Sequence, residues 1–339
     1  MFADVYAVKL EALIRRLFFA TCIFIALGYV LIVHLPNDCG APCPRSASLE
    51  TPLIFVGGHP RSGTTLLRIL LDVHPMIRCG PETHILPKLM ENFRTTQVGY
   101  MRKRLDAANL STEDVNHAFA AFIRFIIEKA GSPAPILCNK DPLMLTYLRH
   151  LHGMFPTAKF LHIVRDGRAV TASMIKRKIK MGKLGREKNW DAFALFKRWE
   201  KVVDGIEREC RALKQCHTIH YEDLVLKPKQ TMQDVLSFLD VPWDPVVLHH
   251  ENFVNKTVFL SSMEPSTNQV VNPLYMHALS SWVSDNSTLP QDFIYNVHKH
   301  SDVLRNLGYD KFGIPPVYGQ AELAAENQTR GQYIIKNFH

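Results

Sequence analysis

The sequence predicts an α/β protein: a mostly parallel, P-loop-like sheet with helices on both faces, preceded by one transmembrane helix. Three observations carry that expectation. Short apolar runs at 53–56, 136–140, 160–164 and 218–221 alternate with longer helical patterns. Strands alternating with helices make a parallel sheet covered on both faces. The first run feeds the turn Gly57-Gly58-His59-Pro60-Arg61-Ser62-Gly63-Thr64-Thr65, and an apolar helical pattern starts at Leu66. Strand, glycine turn and helix are the layout of a phosphate cradle. Residues 17–35 carry no charge, and as a helix they span about 28 Å, close to the hydrocarbon thickness of a bilayer.

Taken in order, residues 1–16 are a short tail with Lys9, Arg15 and Arg16 just ahead of the apolar run. Positive charge on that side predicts a cytoplasmic N-terminus and a lumenal remainder. The run is longer than a signal-peptide core and lacks a small-residue cleavage site, so an uncleaved anchor is expected. Residues 36–50, with Pro36 and Pro44, form a stem, residues 51–319 the folded lumenal domain and residues 320–339 an irregular tail.

Within the domain, helices are expected over 87–96, from the Ser111/Asp114 capping pair to Lys129, and over 144–154, 169–176, 190–210, 228–239 and 290–307. The helix ending at Lys129 is closed by Gly131, and Pro228 opens its helix. Residues 254–273 show no period. A loop of that length is functional or disordered.

Composition narrows the classes. In 339 residues, 47% are hydrophobic and 21% charged, which describes a folded protein. The net charge of +8 comes without a dense Lys/Arg tract. That balance suits a protein handling anions, such as a nucleotide or an acidic polypeptide, rather than nucleic acid. Sequons stand at Asn109, Asn255, Asn286 and Asn327. Six cysteines follow the anchor: Cys39, Cys43, Cys79, Cys138, Cys210 and Cys216. An even number permits a full disulfide set in an oxidising compartment. No paired Cys-x-x-Cys spacing points to zinc. His249-His250-Glu251 reads as helix surface rather than a metal site, because adjacent residues do not share a helix face.

The glycine turn has P-loop spacing at Gly58 and Gly63, with Thr65 at the Ser/Thr position. Thr64 stands where the P-loop lysine would be, which argues against an ordinary ATPase or kinase; Arg61 is the cation the loop offers instead. Pro60-Arg61-Ser62-Gly63-Thr64-Thr65 resembles the 5′-phosphosulfate loop of sulfotransferases. With Arg78-Cys79-Gly80 and Glu82-Thr83 the chain is similar to the tyrosylprotein sulfotransferases, over roughly residues 52–319. Arg165-Asp166-Gly167-Arg168-Ala169, followed by Ser173, resembles the family's 3′-phosphate signature.

That resemblance implies the sulfotransferase fold and transfer of a sulfuryl group from 3′-phosphoadenosine 5′-phosphosulfate to tyrosine hydroxyls, leaving adenosine 3′,5′-bisphosphate. It implies nucleotide contacts at Arg61, Ser62, Gly63, Thr64, Thr65, Arg165, Ser173, Arg177, Tyr221, Ser266 and Thr267. Glu82 matches the family's catalytic base, and Lys140 its cation at the leaving group, assisted by Ser261 and Arg61. His84, Lys88 and Arg104 match positions that meet acidic substrate peptides. The pairs Cys79–Cys138 and Cys210–Cys216, residence in the Golgi membrane and a homodimer are implied too. No metal is required, since the sulfuryl group carries little charge.

The chain departs from the family pattern at several positions. His84 and Lys88 stand where the family has arginine, and Pro81 where it has an acid. Lys180 replaces a threonine and Asn272 a lysine. These departures bear on peptide preference and nucleotide affinity. His84, Lys180 and Asn272 keep open a non-catalytic nucleotide-binding relative, and a membrane-anchored carbohydrate sulfotransferase, which would share the Arg61 loop and the Arg165 site but lack the Glu82 match, is the other alternative.

Overall fold

A computed structural model of the chain describes residues 52–322, apart from 180–189, 255–257, 262–263, 265, 267–269, 272–273, 275 and 285. The expectations for the tail, the 17–35 span, the stem with Cys39 and Cys43, Lys180, Asn255, Thr267, Asn272, Asn327 and residues 323–339 lie outside the described residues. Among the described residues no helix is long and apolar enough to cross a membrane.

Five strands form one parallel sheet: β1 (Leu53–Gly57), β2 (Ile77–Cys79), β3 (Ile136–Lys140), β4 (Lys159–Val164) and β5 (Cys216–His220). Their order is β2-β3-β1-β4-β5. Register pairs Val56 with Lys140 and Gly57 with His162. The main helices are α1 (Thr64–Asp72), α2 (Ile85–Thr96), α3 (Gly99–Ala107), α4 (Thr112–Lys129), α5 (Leu148–Met154), α6 (Gly167–Lys176), α7 (Ala192–Arg211), α8 (Tyr221–Leu226) and α9 (Pro228–Phe238). Short helices α10 (His277–Ser280), α11 (Gln291–Asn296) and α12 (Asp302–Asn306) close the domain.

The period-2 rule explains the layers. Along β1, Ile54 and Val56 face one side and pack with Leu67 and Leu70 of α1, Leu224 of α8 and Met232 of α9. Leu53 and Phe55 face the other and pack with Leu86 and Met90 of α2, Ile123 of α4 and Leu148 of α5. All five residues of β1 are buried, as a central parallel strand requires. A third cluster joins Val170 of α6, Phe196 and Trp199 of α7, Trp282, and Phe293 of α11. Helix α4 starts at the expected cap: Ser111 Oγ accepts the Asp114 N–H at 3.1 Å, and Asp114 accepts the Ser111 N–H at 2.8 Å.

Three expectations are corrected. The segment 144–154 opens as a 3-10 turn, Pro142–Tyr147, before α5; Pro142 sits at its start. The final helix expected over 290–307 is broken into α11, a 3-10 turn and α12, because Ser301 leaves the helical path to cap α12 through the Leu304 N–H. His250 is not on a helix surface: it is buried in a short 3-10 turn.

The connections place chemistry at one edge. The glycine turn leaves β1, Lys140 ends β3, Arg165 follows β4 and Tyr221 follows β5. The chain moves outward from β1 in both directions, so a crevice opens at these carboxyl ends. The disulfide Cys79–Cys138 ties β2 to β3 beside that edge, and Cys210–Cys216 ties the end of α7 to β5.

Candidate active site

The glycine turn is held open by two close approaches. Gly58 has φ 153°, and a Cβ there would lie 2.3 Å from the Ile163 carbonyl oxygen. Gly63 has φ 101°, and its Cβ would lie 2.4 Å from the Tyr221 ring. Arg61 takes a left-handed conformation, φ 76°, which turns its side chain out of the loop's own backbone ring. Its Nε donates to Ser173 Oγ at 3.0 Å, and its guanidinium also donates to Ser266 Oγ. The turn ends at the buried N-terminus of α1, where free backbone N–H groups favour an anion.

Arg165 sits over the Tyr221 ring, 4.5 Å from its centroid. It donates to the Arg61 carbonyl at 3.2 Å and to the Ala278 carbonyl at 2.7 Å. Arg61, Gly63, Thr64, Thr65, Arg165, Ser173, Arg177, Tyr221 and Ser266 line one cavity of about 490 Å³. Thus most of the sequence-predicted nucleotide residues meet, although they come from four segments. Ser62 is buried beneath the turn. The buried Ser62 Oγ and Arg165 Nε have no hydrogen-bond partner among the described residues; of the two, Arg165 lines the cavity, where an anionic ligand would satisfy its donor. Arg168, by contrast, is structural: it is buried and chelated by Asp166, with the shorter contact at 2.7 Å. Asn286 lies exposed on the cavity rim, and Asn109 is exposed in a left-handed turn.

Next to the cavity is a buried ion cluster. Lys140, with no exposed side-chain surface, contacts Glu82 Oε1 and lies 2.9 Å from Glu264 Oε2. It also donates to Thr65 Oγ1 at 3.2 Å. Glu264 accepts the Glu82 N–H at 2.9 Å, which fixes the backbone carrying Glu82. Burial of Glu264 opposes its ionisation, but Lys140 prevails and holds its carboxyl below the usual range. Ser261 belongs to the same turn, its carbonyl accepting the Glu264 N–H at 3.1 Å.

His84 is placed against this cluster. Its Nε2 lies 3.3 Å from Glu82 Oε2, and its N–H donates to Asp141 Oδ1 at 3.2 Å. Burial pushes Asp141 up to about 6, against a hydrogen bond from Asn139 that pulls it down. Glu82, His84 and Asp141 each bring one ligand-type atom within 4.8 Å of the others. Lys140 already holds one Glu82 oxygen, and the Asn139 side chain and the His84 backbone N–H hold Asp141; the His84 ring meets the two carboxylates as ion-pair contacts, at 3.3 Å and 3.7 Å. Lys88 is exposed in the first turn of α2. Arg104, on α3, is turned to Tyr100, donating to its hydroxyl at 2.8 Å.

Sequence reasoning missed three residues. Glu264 and Asp141 belong to the cluster above. Arg68 is buried in α1, bonds the Cys79 carbonyl at 2.7 Å and the Phe259 carbonyl at 2.9 Å, and so ties the β2 end to the segment carrying Ser261. Arg68 had one signal: a charge amid the apolar residues 66–71 must have a buried partner, here Asp72 one turn on, at 3.3 Å.

A family model described as the sulfotransferase family matches residues 52–245. A protein-tyrosine sulfotransferase of Drosophila melanogaster is 40% identical over 290 residues, which cover 84% of this chain and 57% of that protein. Protein-tyrosine sulfotransferase 1 of Danio rerio is 40% identical over 285 residues, covering 83% of this chain and 79% of that protein. Among solved structures, the sulfotransferase domain from the curacin biosynthetic pathway matches with a TM-score of 0.53 at 21% identity, covering 76% of this chain and 96% of that one. This last likeness concerns the fold alone.

Proposed function

The chain belongs to the sulfotransferase family, with protein-tyrosine sulfotransferases as relatives, and on that premise we propose that it sulfates tyrosine residues in acidic stretches of proteins. The donor in this reading is 3′-phosphoadenosine 5′-phosphosulfate. One observation carries it: a single buried ammonium, Lys140, joins the carboxylate of Glu82 to Thr65 at the start of α1. A base and a phosphate loop thereby share one cation.

The residues present suit such a donor. Arg61 and the N-terminus of α1 face the sulfate-bearing phosphate, while Arg165, Ser173 and Arg177 take the 3′-phosphate in the same cavity. In the transfer, the tyrosine oxygen bonds to sulfur as the bond from sulfur to the 5′-phosphate oxygen breaks. Glu82 accepts the phenolic proton. A free phenol is a far weaker acid than any carboxylic acid and does not yield its proton in advance, so proton transfer accompanies bond formation. Lys140 and Arg61 stabilise the charge left on the departing phosphate.

The reading includes a single-pass, type II protein of the Golgi membrane, with the domain in the lumen and acting as a homodimer. The charge-free run 17–35 behind Lys9, Arg15 and Arg16 supports the anchor, and two disulfides support an oxidising compartment.

The test is transfer of labelled sulfate by the full-length chain. Acceptors are an acidic tyrosine peptide, its phenylalanine counterpart and a panel of glycans, each with wild type and Glu82→Ala. Labelling of the tyrosine peptide alone, lost in Glu82→Ala, is expected. Labelling of glycans would move the chain to carbohydrate sulfation, and donor binding with no transfer would make it a non-catalytic relative.

A further inference from the structure

A second groove, of about 970 Å³, opens between α5 and α7, with the end of α2 and the 3-10 turn 142–147 at its head. Its charge is one-sided. Arg94, Arg149, Arg198, Lys201 and Arg208 line it, against the single carboxylate of Glu209. Glu209 is already engaged, accepting the Arg149 N–H at 3.0 Å, and Arg208 is shared with Asp204 at 3.2 Å. A concave surface lined by one sign of charge concentrates its field and draws in the opposite charge.

The groove is wired to the catalytic cluster by two elements. Helix α2 begins three residues after Glu82 and carries Arg94 in its last turn. The 3-10 turn begins two residues after Lys140 and ends at Tyr147, on the groove wall. At ordinary rises per residue, the five steps from Pro142 to Tyr147 and the two-residue link from Lys140 put this wall at most about 17 Å from Lys140. Arg198 lies about 16 Å along α7 from Glu209, which bonds the Arg149 N–H, so it marks the opposite end of the groove, toward His59 of the phosphate loop. His59 is brought down to about 4, first by burial, with Arg198 adding to the effect.

We propose that this groove is an exosite for the acidic segment of the protein substrate, engaging acids well separated in sequence from the acceptor tyrosine. This rests on the tyrosine-sulfation reading above. An extended chain advances about 3.3 Å per residue, so a separation of up to about 17 Å corresponds to four or five residues. Acids within three residues of the tyrosine meet the neighbourhood of Glu82; acids from about the fourth onward reach the groove. From Arg198 to Arg208, α7 runs about 15 Å, enough for another four or five extended residues. The exosite lowers KM for long acidic substrates and leaves kcat alone, because its residues touch no reacting atom.

The experiment compares two acceptor peptides with the full-length chain. One has acids only within three residues of its tyrosine; the other adds an acidic tract four to ten residues away, on either side in turn. Wild type is set against Arg149→Gln/Lys201→Gln. We expect wild type to show a KM about five- to tenfold lower for the longer peptide, a gain that fades in high salt and disappears in the double variant. An unchanged kcat on the short peptide shows that the variant is folded. Equal treatment of both peptides by wild type and variant overturns the proposal. Loss of binding to phosphatidylserine vesicles in the variant, with peptide kinetics unaltered, overturns it in favour of a membrane surface. Anisotropy with the longer peptide carrying phenylalanine for tyrosine reads the groove without transfer, so a failure of sulfation and a failure of the exosite are told apart.

Discussion

Replacing Glu264 by glutamine tests the logic of the ion cluster. Glu264 and Glu82 contact the same Lys140 nitrogen, and at ordinary hydrogen-bond lengths two oxygens on one nitrogen stand about 4–5 Å apart. At an effective dielectric near 20, their repulsion has a ceiling of about 4 kcal/mol. Solvent at the exposed edge of Glu82 screens that repulsion. Removing the Glu264 charge leaves Lys140 to pair with Glu82 alone, which ties up the carboxylate that must accept the phenolic proton. The amide also cannot serve both neighbours. If its oxygen keeps the Glu82 N–H, its NH₂ faces the Lys140 ammonium, donor against donor. Leaving that buried donor unmatched costs about 1–3 kcal/mol of stability. Steady-state sulfation by Glu264→Gln should show kcat lowered about tenfold and KM for the donor little changed. A kcat within about twofold of wild type would refute the claim that Glu264 supports the base.

Two further outcomes follow from local geometry. Gly63→Ala forces a Cβ to within 2.4 Å of the Tyr221 ring at a φ of 101°, so donor affinity by calorimetry should fall at least tenfold, while unchanged affinity would show the ring moves freely. Glu222, fully buried, is pushed up to about 7 by burial. A raised folded-state pKa means the folded state binds the proton more tightly, so this group's contribution to stability is lost as pH rises from about 4.5 to about 7. Glu222→Gln should flatten that part of the Tm–pH curve; an unaltered slope would mean that another group is responsible.

Much of the fold was legible because parallel strands announce themselves. The runs at 53–56, 136–140 and 160–164 are buried on both faces, so each reads as a short apolar block rather than an alternation. The glycine turn was equally clear, since two of its positions exclude a side chain. Strand β5 starts two residues before the predicted 218, because Cys216 and His217 are only partly buried and do not form an apolar block with Thr218. The break at Ser301 was hidden for a different reason: apolar residues recur on both sides of it at spacings a single helix would allow, and only the buried bond from Ser301 Oγ to Glu200 in α7 reveals the stop.

The nucleotide cavity and the ion cluster differ in what a sequence can say of them. Arg61 and Arg165 follow strands whose carboxyl ends share one edge, so the fold rule alone brings them together. Glu264 follows no strand. It lies 124 positions from Lys140 and 182 from Glu82, in a stretch without periodicity, where an acid looks like any solvated loop residue. Its role depends on Arg68 anchoring the neighbouring Phe259 carbonyl to α1, and Arg68 depends in turn on Asp72 to compensate its burial. The legible part of the site is therefore the part dictated by strand order. The illegible part is charge compensation, where each buried ion requires a partner but neither spacing nor composition says which one.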